Sequence, residues 1–131
     1  MDATTREAMD GGGIADITTT GRRTGDPHRV EIYFHQFDGD YYLTGRPGRK
    51  RDWEANIESD PRFTLHLKGG ITADVPVVGE TDVDIEQRAR ILRRALVESW
   101  DSDPDRVDKA LDQWVETAPF VRFRPDGGLG V

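Results

Sequence analysis

The chain has 131 residues, enough for one domain with its own hydrophobic core. It contains no cysteine, which excludes disulfides and cysteine-ligated zinc sites. The 18 basic and 25 acidic residues give a net charge of −7, and a surface of that charge would repel nucleic acid. We therefore expect no nucleic-acid partner.

The sequence also argues against a membrane protein. No apolar run reaches the roughly 18 residues of a membrane span, and the first residues do not resemble a signal peptide. A cytoplasmic location is the expectation. The acid-rich composition has only three lysines, and it is also typical of proteins from a high-salt cytoplasm.

Strands dominate the predicted elements. The first dozen residues are polar and end in glycines, which predicts a flexible or helical lead-in outside the core at 1–12, before one domain at 13–131. We expect Pro76 to mark an edge strand or a bulge, since proline cannot donate to a sheet ladder. Alternating or β-branched runs predict strands at 14–20, 28–37, 40–44, 62–68, 71–78 and 120–124.

Three helices interrupt these strands. A short helix is predicted over Asp52–Ser59, with Asp52 as its N-cap. Apolar residues three or four apart predict a second helix from Asp84 to Ser99, with Asp84 as its cap, and a third begins at Asp103-Pro104. The resulting fold class is mainly β (α+β). It is a six-stranded barrel with a short helix after strand 3 and two helices before the last strand.

The segment from Thr44 to Ile57 is the candidate binding site. Gly45 and Gly48 permit close backbone approach, and a helix starts a few residues later. Cations crowded at the positive end of a helix are unfavourable unless an anion binds there, so a phosphate or polycarboxylate ligand is expected. The cations are Arg46, Arg49, Lys50 and Arg51.

Each of these features also has a plainer interpretation. The alternative for the basic loop is a solvated charge cluster. Trp53, which shares a helix face with Asn56, is either a core anchor or a wall beside a flat ring. Arg22, Arg23 and Thr24 form, on chemistry alone, an exposed turn.

Catalytic groups are not evident. His28, His35 and His66 lack metal-ligand spacing, and no serine lies in a nucleophile-elbow setting. The catalytic residue therefore stays unknown and no metal site is expected. An enzyme of this kind would take its chemistry from a cofactor.

Three segments together resemble a known family. They are residues 18–32, which contain Thr20-Gly21-Arg22-Arg23-Thr24-Gly25, the helix Asp52-Trp53-Glu54-Ala55-Asn56-Ile57 followed by Asp60-Pro61-Arg62, and the passage 114–123. In order and spacing they are similar to the deazaflavin-dependent nitroreductase and quinone reductase family, within the split β-barrel flavin-binding superfamily.

The resemblance implies a split barrel of the FMN-binding type that binds coenzyme F420 or, in related branches, FMN. It implies that Arg46, Gly48, Arg49, Lys50 and Arg51 hold the phosphate and acidic tail, with Trp53 and Asn56 on the adjoining helix. It also implies that Arg22, Arg23 and Thr24 flank the same groove.

The expected function is therefore transfer of a hydride from reduced coenzyme F420 to a small-molecule acceptor. Quinones, nitro compounds and activated double bonds all fit this expectation. An FMN-dependent oxidoreductase of the same fold, or a non-catalytic flavin or small-ligand binding protein, stays open. A homodimer is possible because an edge strand is expected.

Overall fold

A computed structural model describes residues 2–48 and 50–126. Its strands are β1 (Gly13–Thr20), β2 (Pro27–Phe37), β3 (Asp40–Thr44), β4 (Arg62–Leu67), β5 (Ala73–Glu80) and β6 (Phe120–Pro125). Its helices are α1 (Ala3–Asp10), α2 (Asp52–Ser59), α3 (Ile85–Arg94) and α4 (Pro104–Thr117), with a π-helical turn at Ala95–Ser99.

The six strands close into a barrel in the order β1-β2-β3-β6-β5-β4, and every neighbouring pair is antiparallel. This confirms the predicted fold, including the short helix after β3 and the two helices before β6. Alternate residues fill the barrel, as in β4, where Phe63, Leu65 and Leu67 are buried. Ile57 of α2 packs into the same core.

The lead-in differs from expectation. Residues 3–10 form α1, which is capped by Asp2 because the Asp2 carboxylate accepts the Thr5 N–H over 2.7 Å. Met9 is 0% exposed and belongs to the barrel core, so the expectation that residues 1–12 stay outside the core is wrong. Since this segment has few large apolar residues, its helical periodicity was too weak to reveal the burial.

Pro76 does not lie on an edge strand, because β5 pairs with both β4 and β6. The last β5–β6 pair is Val77 with Pro125, and the Pro76 carbonyl accepts the Asp126 N–H over 2.9 Å. In an antiparallel strand, the nitrogen of a residue faces the same side as its carbonyl. The proline nitrogen therefore lies beyond the last ladder pair, where its missing N–H costs little.

A second core cluster lies where α3 and α4 cover the outer face of β2 and β3. It includes Phe37, Tyr42, Leu92 and Phe120. Asp84 caps α3 as predicted, accepting the N–H groups of Glu86 and Gln87. None of the described helices is long and apolar enough to cross a membrane.

Candidate functional site

A groove runs between the turn at residues 21–26, the start of β2 and the helix α2. We call it the arginine groove. One part, of about 310 Å³, is lined by Gly21, Arg22, Arg23, Thr24, Asp26, His28, Asp52 and Asn56. The adjoining part, of about 450 Å³, is lined by Thr19, His28, Arg29, Val30, Glu31, Arg51, Asp52, Trp53 and Asn56. The two parts share three lining residues and are therefore continuous.

The turn that carries Arg22 and Arg23 is closed by its own backbone. The Gly21 N–H donates to the Asp26 carbonyl over 2.8 Å, and the Gly25 N–H donates to the Gly21 carbonyl over 2.8 Å. Gly25 has a φ of +79°, which favours glycine. A Cβ at Gly21 would lie 2.6 Å from His28 Nε2, so any larger residue here would have to displace the His28 ring.

Helix α2 holds this turn in place through Asn56. The Asn56 carbonyl oxygen accepts the Arg22 backbone N–H over 3.2 Å and Arg22 Nη1 over 2.9 Å. Arg22 Nη2 also lies 3.5 Å from the Asp52 carboxylate. The structure thus brings together the two segments that sequence reasoning had linked only through the family resemblance.

The described residues of the basic loop lie in different environments and do not form one cluster of cations. Arg51 lines the arginine groove and donates from Nη2 to the Arg46 carbonyl over 2.9 Å. Lys50 forms an ion pair with Glu58, so part of the expected cation crowding is neutralised within the chain. Gly48 has a φ of +143°, and the predicted site residue Arg49 lies outside the described residues.

The predicted N-cap of α2 is wrong by one residue. Arg51 occupies that position with extended angles, φ −82° and ψ 145°, and makes no side-chain capping hydrogen bond. Asp52 is the first helical residue, and its carboxylate faces Arg22 instead. The cap prediction rested on the preference of aspartate for the N-cap position. Nothing in the sequence indicated that this carboxylate pairs with Arg22 in a distant turn.

A second hollow, the tryptophan cleft, lies where the basic loop meets the helical cover. It measures about 680 Å³ and is lined by Arg46, Pro47, Leu96, Trp100, Ser102, Gln113 and Trp114. Sequence reasoning did not assign these residues. One signal was present, since all three tryptophans of the chain border either the groove or the cleft.

Glu54 attaches α2 to the opposite side of the barrel. Its carboxylate accepts the Phe120 N–H over 3.0 Å. Burial raises the pKa of Glu54 above its usual range, although the Phe120 hydrogen bond works in the opposite direction. In the part of the chain that the structure describes, no group of three or more His, Asp or Glu side chains is placed to hold a metal ion.

The fold has many solved relatives. Conserved hypothetical protein Rv2991 from Mycobacterium tuberculosis has a TM-score of 0.69 and 21% identity, covering 100% of this chain and 88% of its own. A protein related to general stress protein 26, of the pyridoxinephosphate oxidase family of Clostridium acetobutylicum, has a TM-score of 0.65 and 11% identity, with coverages of 94% and 82%. These likenesses show the split-barrel fold.

A structure described as F420-H2 dependent reductase FDR-A has a TM-score of 0.58 and 18% identity, covering 85% of this chain and 92% of its own. No curated protein matches the chain in sequence. The family model described as F420H(2)-dependent quinone reductase matches residues 1–117. The chain therefore belongs to the F420-dependent quinone reductase family, a family of oxidoreductases whose cofactor is coenzyme F420.

Proposed function

We propose that this protein reduces a quinone with reduced coenzyme F420 bound in the arginine groove. The observation that carries the proposal is the composition of that groove. Arg22, Arg23, Arg29 and Arg51 line it together with the flat side chain of Trp53. Cations beside an aromatic wall suit a ligand that has both a flat ring and an anionic tail.

The arginine side chains of the groove are suited to the anionic tail of the cofactor. Arginine forks bind phosphate and carboxylate groups, the two anionic groups of the F420 tail. Trp53 packs partly against the barrel core, so its ring is held as a fixed wall. Bound reduced F420 supplies the hydride, and solvent can supply the proton that completes a quinol.

The tryptophan cleft is our proposed acceptor site. The hydrogen bond from Arg51 to the Arg46 carbonyl links a residue of the groove to a residue of the cleft. Trp100 and Trp114 offer aromatic surface to a flat ring, and Gln113 and Ser102 offer hydrogen-bond donors to its carbonyls. A quinone combines both features, while nitro compounds and activated double bonds present similar acceptors.

FMN is the competing cofactor. It carries a single phosphate, whereas the groove has four arginines that the carboxylates of Asp26, Glu31 and Asp52 offset only in part, which favours the more anionic F420. A non-catalytic binding protein would retain the groove and show no turnover. Cofactor binding therefore distinguishes the FMN enzyme from the proposal, and turnover distinguishes the binding protein from it.

The first experiment titrates the protein with oxidised coenzyme F420 and with FMN, following fluorescence at low and high salt. Preference for F420, with an affinity that weakens as salt is added, supports the proposal, and preference for FMN overturns the cofactor assignment.

Arg23→Ala should weaken F420 binding about 10-fold, the size of one charge-assisted hydrogen bond. Within the described chain Arg23 makes no hydrogen bond or ion pair, so the fold should not change.

Arg106→Ala is the matched control, because Arg106 lies on α4 away from the groove residues. It should leave F420 affinity unchanged. Turnover of reduced F420 with a quinone then tests the reaction. Tight binding without oxidation by any of several quinones or nitroaromatics would identify a binding protein and end the reductase proposal.

A further inference from the structure

We propose that Asn56 is a positioning residue, which holds Arg22 in the orientation that receives an anion in the arginine groove. The inference rests on the proposed function, since it assumes that the groove binds the anionic part of the cofactor. It gives Asn56 a role distinct from direct contact with the ligand.

The burial of Asn56 is the first argument. Asn56 is 3% exposed. Its amide nitrogen donates to Thr19 Oγ1 over 3.1 Å, and Thr19 is also buried, at 2% exposed. Its amide oxygen accepts two N–H groups of Arg22. An amide oxygen has two lone pairs, so both are used within the protein. Its oxygen is therefore fully committed to Arg22, and a side chain that is 3% exposed offers almost no surface to a ligand.

The effect on Arg22 is the second argument. Its side chain is held at Nη1 by Asn56 over 2.9 Å and at Nη2 by Asp52 over 3.5 Å. A guanidinium carries five N–H donors, so the others stay available to a ligand in the groove that Arg22 lines. Asp52 is 86% exposed at its side chain, and its long contact can yield to a phosphate or carboxylate.

The neighbouring Arg23 side chain, unlike that of Arg22, is not held in place by any other residue that the structure describes. Arg22 and Arg23 line the same part of the groove, but Arg23 has no hydrogen bond or ion pair within residues 2–48 and 50–126. Fixing a long side chain before binding removes the entropy that the ligand would otherwise have to overcome. Arg22 is thus a preorganised anion donor, and Asn56 is the residue that makes it so.

A double-mutant cycle tests this role. Arg22→Ala, Asn56→Ala and the double variant are titrated with oxidised coenzyme F420. Each single change should weaken binding roughly 10-fold, and the double variant should bind no more weakly than Arg22→Ala, because residues that act through one another are non-additive. Losses that multiply to roughly 100-fold would overturn the inference.

Conservative variants separate positioning from general stability. Asn56→Gln keeps both the amide oxygen and the amide N–H and should recover part of the affinity lost in Asn56→Ala, with circular dichroism confirming that both variants fold. Equal weakness of two folded variants would contradict the proposal. Thr19→Val removes only the partner of the Asn56 amide nitrogen and should weaken binding less than Asn56→Ala does.

Amide hydrogen exchange gives a readout that needs no ligand. The Arg22 backbone N–H donates to Asn56, so Asn56→Ala should accelerate its exchange about 10-fold or more. Unchanged exchange would overturn the inference. If the wild type fails to bind F420, the proposed function fails. The affinity cycle is then run with inorganic pyrophosphate, where additive losses or no binding would overturn the positioning role.

Discussion

His35 Nδ1 and the Ser99 hydroxyl oxygen lie 3.1 Å apart, and this hydrogen bond joins β2 to the π-helical turn that follows α3. His35 is 2% exposed, and its ring centroid lies 5.1 Å from that of Trp100. Its Nε2 atom is buried without a hydrogen-bond partner in the described structure. Burial lowers the pKa of His35 from 6.5 to about 4.

The first prediction concerns acid stability. The unfolded chain binds a proton at His35 near pH 6.5, whereas the folded chain does so only near its lowered pKa of about 4. The contribution of His35 to stability is therefore full above pH 6.5 and is lost as the pH falls toward 4. We expect a loss of roughly 1 kcal/mol by pH 5.5, measured by urea unfolding.

His35→Gln should remove this dependence, because glutamine does not titrate. Glu54 works in the opposite direction, since its raised pKa means that protonation favours the folded state as the pH falls. Comparing wild type with His35→Gln cancels the Glu54 effect. An equal loss in both proteins between pH 7.5 and pH 5.5 would show that His35 is not the cause.

The second prediction concerns the contact between α2 and the barrel. A Cβ at Gly79 would lie 2.8 Å from Ile57 Cγ2 and 3.0 Å from Val121 Cγ1. Gly79→Ala should therefore overpack the core and lower the free energy of unfolding by about 1–3 kcal/mol. Chemical denaturation measures the change.

Gly70→Ala is the control for Gly79→Ala. A Cβ at Gly70 meets nothing within 4 Å. This variant should be as stable as the wild type or slightly more stable, because alanine restricts the unfolded chain. Equal stability of the two alanine variants would mean that α2 moves aside at no cost.

The sequence was sufficient for the features that repeat along the chain. Alternation in segments such as Phe63-Thr64-Leu65 predicted the strands, and the barrel follows from six of them. It was insufficient where one residue acts over a long distance. The position of Pro76 depends on where β6 ends, and the partner of Asp52 comes from a turn 30 residues earlier.

Part of the candidate site could be predicted from the sequence and part could not. The Arg22-Arg23 turn was assigned to the site through the family resemblance, since its residues alone predicted only an exposed turn, and the structure places it in one groove with Asn56. The tryptophan cleft was missed because its walls come from segments about 50 residues apart, the basic loop and the helices α3 and α4. Helical spacing explains Trp114 as a core residue equally well, so periodicity alone could not assign it to a cleft.

The third prediction concerns the docking of α1. The Tyr41 hydroxyl donates to the Asp10 carboxylate over 2.6 Å, and burial raises the pKa of Tyr41 to about 12. Tyr41→Phe should lower the free energy of unfolding by about 1.5–3 kcal/mol, the usual contribution of a hydrogen bond to a charged group. It should also speed amide exchange in α1.

Tyr33→Phe serves as the comparison, since the Tyr33 hydroxyl makes no hydrogen bond within the described residues. Its stability and α1 exchange should match those of the wild type. If both phenylalanine variants behave alike, the Tyr41 hydrogen bond does not anchor α1, and Met9 packing alone holds the helix.

The fourth prediction separates the acceptor site from the cofactor site. Trp114 borders the tryptophan cleft and shares no lining position with the arginine groove. Trp114→Leu should raise the KM for a quinone about 10-fold, the effect of losing an aromatic contact of about 1.4 kcal/mol. The affinity for coenzyme F420 should stay unchanged, as measured by fluorescence titration.

Three further variants separate this assignment from a loss of stability and from an effect on the cofactor. Gln113→Ala changes an exposed cleft residue and should raise the quinone KM severalfold with no change in unfolding. Asp112→Ala alters the adjacent position, which lines a different hollow, and should leave KM unchanged. Trp53→Phe should instead weaken F420 binding. If Trp114→Leu lowered F420 affinity while the quinone KM stayed constant, the cleft would belong to the cofactor and the acceptor would have to bind elsewhere.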